Sequence, residues 1–316
     1  MSILIEEVDF ETYSKKVGYL DGILPLWLSP KFVTAYKEKI LLLATNGKEV
    51  KGVWVIPITS QDGLKIAKRN YRFFPYSSPI FFDKDNLKRR DMAEKFFEYV
   101  GSKCESIYLP LAPDFKDMAT IQEQGALIEW RHTHIMSNPI DDSQIDSRLR
   151  NHIKNAKNYI EISIEKSPNN FNFELAIKGG ADEQKERRES AINLLSNKQA
   201  VIVTAKKDGK LCAGILLAYD EKTAYMMHSW QMEGAPRGTI SYLIYESINW
   251  TFKVGKLKYF DFEGSVIQNI DYFFGGFNAE IVPYGFIHWS HDKNKLHNLI
   301  DRSINIEGRL LTKNCE

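Results

Sequence analysis

Two carboxylates stand close together near the end of a short apolar segment, Asp261 and Glu263. Residues 258–262 have the sequence KYFDF, which favours a strand, and side chains two apart on a strand share a face. Ligands of α/β proteins bind at the carboxyl ends of strands, and a carboxylate there can accept a proton from an attacking amine. We expect Glu263 to be the base, with Asp261 beside it. A capped strand end with solvated acids fits the same residues.

A small-residue loop precedes these acids, between a predicted strand at residues 223–231 and a predicted helix at residues 239–253. Gly234 and Gly238 allow a ligand to approach the backbone closely, and the helix that begins at Thr239 offers free N–H groups to an anion. Arg237 can add a charge-assisted hydrogen bond. We therefore predict that Gly234, Arg237, Gly238 and Thr239 bind a phosphate-bearing cofactor. An ordinary strand-to-helix connection has the same composition.

Three further residues are assigned to substrate binding: His228 and Trp230 on the strand before the loop, and Tyr272 after the acids. A core or pocket-wall role suits His228 equally well. The aromatic segment 71–76 (YRFFPY) can line a substrate cleft between domains or form part of a core strand. The three cysteines are far apart and lack metal-ligand spacing, so we predict no metal site.

The elements that must position these residues occur twice along the chain. Residues 40–58 and 200–219 each form a predicted hairpin with Gly-Lys at the turn, and each has a glycine five residues after the turn glycine. A third strand follows in each half, near residues 72–82 and at 223–231. A helix then comes at residues 86–101 and 239–253, and another strand at 106–109 and 258–262. This order predicts a duplicated α/β unit.

The boundary between the halves is predicted in the polar segment 141–146, which gives domains at residues 1–140 and 141–316. A basic helix follows at residues 147–159, with Asp142 or Ser143 as its cap and with a helical stripe of apolar side chains: Leu149, Ile153, Ala156 and Ile160. Further helices are predicted at residues 181–197 and 294–311. The fold class is α/β, of the α+β type with a mixed sheet.

The segment from about residue 147 to 287 resembles the acetyltransferase domain of FemAB-like and related GNAT proteins. The motifs that carry the resemblance are LRNHIKNAKN, the hairpin from VIVTA to MMHSW, RGTISYLIYESINW, FDFEGS and IDYFFGGFNAE. FemAB-like proteins have two GNAT-like domains in tandem, which agrees with the duplication. The resemblance implies transfer of an acyl group from acetyl-CoA or another acyl-CoA, or of an aminoacyl group from a charged tRNA, to an amine.

The resemblance also implies that the loop at Gly234 and Gly238 corresponds to the GNAT pyrophosphate loop, Q/R-x-x-G-x-G/A. This chain departs from that pattern, and the first unit has no glycine between Gly63 and Gly101, so a phosphate donor is expected only in the second unit. The acceptor is expected to be a small-molecule amine or a cell-envelope precursor. A non-catalytic GNAT-fold binding protein stays an alternative.

Composition excludes several other classes of protein. The net charge is +1, from 42 basic and 41 acidic side chains, which argues against a large nucleic-acid surface. The charged insert at residues 181–198 is too short for a long helical hairpin, so tRNA is a less favoured donor than acyl-CoA. No long apolar run suggests a signal peptide or a membrane span. We therefore expect a cytoplasmic enzyme.

Overall fold

A computed structural model of the chain describes residues 3–20, 22–61, 63–68, 75–176, 181–264 and 267–292. One mixed sheet of 13 strands forms its centre. The strands are β1 (Leu4–Glu7), β2 (Lys39–Asn46), β3 (Glu49–Gln61), β4 (Leu64–Lys68), β5 (Ile80–Phe81), β6 (Ser106–Pro110), β7 (Leu127–Met136), β8 (Glu161–Glu165), β9 (Ala200–Lys207), β10 (Lys210–Tyr219), β11 (Thr223–Gln231), β12 (Tyr259–Asp261) and β13 (Glu280–Ser290).

Helices cover both faces of the sheet. They are α1 (Phe10–Val17), α2 (Pro30–Val33), α3 (Asn86–Lys103), α4 (Met118–Glu123), α5 (Ser147–Ala156), α6 (Phe173–Ala176), α7 (Ala181–Ser196), α8 (Thr239–Asn249) and α9 (Gln268–Gly275). A π-helical turn, Trp250–Val254, continues α8. None of the helices in the described ranges has the length and apolar character needed to cross a membrane.

The predicted duplication is present in the strand order. The first unit has the order β1-β2-β3-β4-β6 and the second has β8-β9-β10-β11-β12. In both units the hairpin strands pair antiparallel, and the third and fourth strands pair parallel. The third strand of the first unit was predicted near residues 72–82, of which residues 72–74 lie outside the described part. Residues 75–82 contain only the short strand β5, which pairs with β3. The third strand in the order is β4, whose side chains are mostly exposed and therefore lack an apolar strand pattern.

The two units exchange their last strands. β7 follows the first unit along the chain but pairs with β12 of the second, and β13 follows the second unit but pairs with β6 of the first. β7 and β13 also pair with each other along the centre of the sheet. The predicted boundary between residues 140 and 141 would therefore separate β7 from its partner β12.

Three hydrophobic cores hold the helices on the sheet. The strand period of two sends Ile40 and Leu42 to a core under α3 and α4, while Leu41 and Leu43 face the opposite side. A second core lies under α5, α8 and α9. The third core includes side chains of both units, such as Leu43 and Leu216, so the units share apolar surface.

Helix α5 has the predicted apolar stripe but a different cap. Leu149, Ile153 and Ala156 are buried as expected. The cap is Asp146, whose carboxylate accepts hydrogen bonds from the backbone N–H groups of Arg148 and Leu149. The residues proposed as caps lie too early, because the chain first turns at residues 142–144. The predicted helix at residues 294–311 lies outside the described residues.

Candidate functional site

Asp261 lies at the carboxyl end of β12 and is almost completely buried, with 2% of its surface exposed. Its carboxylate accepts hydrogen bonds from the Tyr76 hydroxyl (2.8 Å), the Thr133 hydroxyl (2.6 Å) and the backbone N–H of Glu263 (2.8 Å). Burial raises the pKa of Asp261, and these hydrogen bonds only partly oppose that shift. A buried carboxylate with a raised pKa is suited to accept protons nearer neutral pH.

Asp261 lines a cavity of about 600 Å³ between the two units. Tyr76 from the first unit lines it too, which agrees with the cleft alternative for segment 71–76, and residues 71–74 lie outside the described part. The aromatic walls are Trp27, Tyr76, Tyr225 and Tyr259. The acidic residues are Asp114, Asp220, Glu221, Asp261 and Glu280, against two lysines, Lys222 and Lys258. Acidic and aromatic walls together favour a cationic ligand.

The aromatic walls are held by contacts across the units. The Trp27 ring packs edge-on against Tyr76 at 5.4 Å and Tyr225 at 6.3 Å between ring centroids. The Tyr225 hydroxyl donates a hydrogen bond to Asp220 (3.1 Å), which also accepts one from the backbone N–H of Leu26 (3.0 Å). The cavity is therefore built from both units and positioned by partly buried polar contacts.

Glu263 does not share a strand face with Asp261, so that part of the prediction is wrong. β12 ends at Asp261, and Glu263 has a left-handed backbone with φ 63°. The Asp261 carboxylate accepts the Glu263 N–H, which turns the chain out of the strand. Glu263 nevertheless lies close enough to Tyr76 for its charge to affect that tyrosine. Burial raises the pKa of Tyr76 most, followed by the charges of Asp261 and Tyr284 and then by that of Glu263.

The predicted donor loop lies at the start of α8, as expected, but Gly238 has a packing role. Its φ is 88°, and a Cβ atom there would overlap the backbone carbonyl of His152 on α5. Gly234 also has a positive φ but has open space around it. The Thr239 hydroxyl donates to the Pro236 carbonyl oxygen (2.6 Å), whereas Arg237 is exposed to solvent. Replacing Gly238 by valine would therefore destabilise the packing of α8 on α5 as well as block the approach of a ligand.

The structure does not bring the three predicted substrate residues together. Trp230 is buried in the core shared by the units, where it packs on Gly214 and Phe171. His228 is half-buried next to an irregularity in the β10–β11 register. Tyr272 is 80% exposed and lines a separate cavity of about 520 Å³ on the opposite face of β7.

A cluster that we did not predict borders this second cavity, which is lined by two of its members, His134 and Asp271. The Oδ1 atom of Asp271 is 2.6 Å from Nε2 of His132 and 2.7 Å from Nε2 of His134. The sequence signal was His-Thr-His at residues 132–134, which puts two imidazoles on one strand face. Thr133 and Tyr76 were also missed as partners of Asp261, because they reach it from the other unit's part of the chain.

Several solved structures share the architecture of this chain. FemX superposes with a TM-score of 0.63 and 11% identity, covering 89% of this chain and 96% of FemX. L-PGS from Bacillus licheniformis gives 0.57 and 13%, covering 96% and 98%. A tandem GNAT protein from the clavulanic acid biosynthesis pathway gives 0.54 and 8%, covering 91% and 98%. The chain has a tandem GNAT fold. No family model and no curated protein sequence matches it.

The second GNAT unit has an opening between its two parallel strands. β11 pairs with β12 only over Thr223–Tyr225, which lie opposite Tyr259–Asp261. β11 then continues to Gln231 without β12 beside it. The register of β10 also shifts at this point, so that Met227 has no residue opposite it. Asp261 and Met227 therefore border the region where the two strands separate.

Proposed function

We propose that the protein is an N-acyltransferase that moves an acyl group from an acyl-CoA donor to an amine. The observation that carries this proposal is the buried Asp261 in an acidic and aromatic cavity between the units. A cationic amine would be attracted by the acidic residues and packed by the aromatic rings. The cavity would hold the acceptor, either a small-molecule amine or an amine-bearing cell-envelope precursor, in a cytoplasmic reaction.

Asp261 is proposed as the proton acceptor, with Glu263 as the second carboxylate near the same tyrosine. An alkylamine has a pKa of about 10.4 and is protonated at neutral pH. It must lose a proton before its nitrogen attacks the carbonyl carbon, and Asp261 lines the cavity where the amine would bind. Attack forms the new C–N bond. As the C–S bond breaks, the second proton of the attacking nitrogen passes to the departing sulfur, which leaves as the free thiol. A strand N–H, which we assign to Met227 at the register shift, would stabilise the oxyanion.

The donor is proposed to place its phosphates at the start of α8, near Gly234, Arg237, Gly238 and Thr239. Helix N-termini favour anions through their unpaired N–H groups and the helix dipole. α8 has no side-chain cap and no acidic residue in its first turn. His228 precedes this loop on β11 and is half-buried, so we assign it to the donor side of the site, whereas Trp230 is buried in the core and supports β11. The start of α8 therefore supports a phosphate-bearing donor.

An aminoacyl-tRNA donor is the second candidate, because the FemAB resemblance implies it. The experiment that separates the donors is thermal denaturation of the full chain with acetyl-CoA, longer acyl-CoAs or an aminoacyl-tRNA. A donor that binds only the folded protein raises the melting temperature by mass action. Acyl transfer to a panel of amines, followed by free thiol release, then tests the reaction. Stabilisation by no acyl-CoA, together with no thiol release, would exclude the first candidate.

A further inference from the structure

The side chains of His132, His134 and Asp271 form a compact group of three potential metal ligands. The two histidines alternate on β7 and face the same side, while Asp271 comes from the first turn of α9. Their ligand atoms all lie within 4.8 Å of one another. The group is separate from the amine cavity, because Thr133, between the two histidines, points to the opposite face and hydrogen-bonds Asp261.

The local fold holds this group in place from both sides. His134 is buried in β7, with 1% of its side chain exposed. Gly264 turns the chain against the backbone of His132, where a Cβ atom would overlap the carbonyl group. Gly275 of α9 lies next to His134, since a Cβ atom on it would be in ordinary van der Waals contact with the imidazole Cε1, at 3.7 Å. The strand and the helix therefore keep the two imidazoles and the carboxylate close together.

The donor set suits a divalent transition-metal ion. Zn²⁺ binds imidazole nitrogen and carboxylate oxygen at about 2.0–2.2 Å, so tetrahedral ligands lie roughly 3.3 Å apart. Asp271 would have to withdraw by about 0.6 Å from each nitrogen, and the two nitrogens, which lie within 4.8 Å of each other, would also have to adopt that spacing. Its side chain is 31% exposed, which leaves it room to rotate.

The His134 ring has one hydrogen-bond partner among the described residues. Its Nε2 atom lies 2.7 Å from Asp271 Oδ1, whereas its Nδ1 atom is buried and has no hydrogen-bond partner in the described ranges. The contact with Asp271 is therefore the one that a metal ion at Nε2 would replace.

We propose that His132, His134 and Asp271 bind one Zn²⁺ ion, with the fourth coordination position open to the cavity beside α9. Three protein ligands and an open position are typical of zinc sites that bind a further ligand. The cavity of about 520 Å³ is also lined by Tyr272, Arg148 and His152, so an anionic group can approach the metal there. Without metal, the same three side chains form a hydrogen-bonded group that joins β7 to α9.

The experiment uses the untagged full chain after removal of metal with a chelator. Zn²⁺ is titrated in competition with a chromophoric chelator, and Co²⁺ is added separately as a spectroscopic probe. We expect one equivalent of Zn²⁺ per chain, a higher melting temperature, and the intense visible absorption of four-coordinate Co²⁺. Less than one equivalent, or a Co²⁺ spectrum like that of the aqueous ion, would overturn the proposal.

Substitutions then locate the metal. Asp271→Asn and His132→Gln should each weaken Zn²⁺ binding by about 100-fold or more, since loss of even a supporting contact costs 10–100-fold. His132 and Asp271 are partly exposed, so both variants are expected to fold. His152→Gln is the matched control, because it removes a histidine from the same cavity but outside the cluster. Equal affinity in the parent and in both cluster variants would show that the ion binds elsewhere.

Discussion

The two units have the same strand order but differ at the start of the helix that follows the third strand. In the first unit, the Asp85 carboxylate caps α3 by accepting a hydrogen bond from the Leu87 N–H (2.9 Å). In the second unit, α8 begins after Gly238 and has no side-chain cap. A carboxylate cap supplies the negative charge that a helix N-terminus attracts. The first unit supplies this negative charge from its own side chain, whereas the second unit has no carboxylate cap at the N-terminus of α8.

The fourth strands differ in a matching way. Ile107 and Leu109 of β6 are buried like Phe260 and Phe262, so Tyr108 occupies the place of Asp261. Tyr108 packs against His288 and has no carboxylate beside it on its own strand. The comparison teaches that duplication preserved the scaffold, whereas the residues suited to chemistry lie in the second unit. The following changes test that asymmetry.

The largest effect is expected from Asp261→Asn. Loss of the proton acceptor should lower turnover by about 10²–10⁴-fold. The shape of the side chain is retained, so the protein should fold. Turnover with each amine is measured alongside the melting temperature, with Tyr108→Phe as the control from the first unit. Unchanged turnover in Asp261→Asn would mean that the proton leaves by another route.

The pH dependence gives a second signature of Asp261. Its pKa is raised above the ordinary 3.8, so turnover should fall as the pH drops through the raised value. The stability changes in the opposite sense. The buried neutral acid stabilises the fold below the unfolded pKa, and this contribution is lost as the pH rises through the folded pKa. The stability of Asp261→Asn relative to the parent should therefore improve as the pH rises through that interval.

A large loss of stability is expected from Gly238→Ala. A left-handed backbone costs a non-glycine residue about 1–2 kcal/mol, and the overlap with the His152 carbonyl adds about 1–3 kcal/mol. Gly234→Ala is the control, because its φ is similar but nothing lies near its added Cβ. Urea denaturation should show a clearly larger loss for Gly238→Ala. Equal losses would mean that the packing of α5 on α8 adjusts freely.

A smaller effect is expected on donor affinity from Arg237→Ala. Removing a charge-assisted contact at an exposed position should weaken acyl-CoA binding by about 10-fold. The control is Lys88→Ala, which removes a cation from the first turn of α3 in the other unit. Calorimetric titration measures both variants. If both weaken binding equally, the donor is attracted by overall charge and not by the start of α8.

The smallest effect is expected from Asp85→Ala in the first unit. Loss of this cap should lower the free energy of unfolding by about 1 kcal/mol. Donor affinity and turnover should stay at the parent values, because α3 is not assigned to the donor. Thermal denaturation and the acyl-transfer assay measure the two effects. A change in donor affinity would contradict the assignment of donor binding to the second unit alone.

The sequence predicted the elements that have a long run of apolar residues of their own. β2, β9 and β10 are long apolar strands, and the spacing of glycines in the two hairpins revealed the duplication. β4 was missed because most of its five residues, LKIAK, face solvent. The exchange of β7 and β13 could not be predicted, since it depends on pairing between distant parts of the chain.

The candidate site was predicted only in part for the same reason. Asp261 stood out because its carboxylate follows an apolar strand. Its partner Tyr76 is 185 residues away along the chain, and Thr133 is 128 residues away. The cluster of His132, His134 and Asp271 joins positions more than 130 residues apart. Spacing arguments find side chains on one element and do not find contacts between elements.

The exchange of strands has a consequence for synthesis on the ribosome. β6 is completed by β13, and the two are joined by the Ser106–Ser290 hydrogen bond across 184 residues of chain. Domains usually fold in the order of synthesis, beginning with the N-terminal one. Here the first unit would emerge with the edge of β6 unpaired, and an unpaired edge can capture other strands. The nascent chain therefore needs protection of that edge until β13 has been made.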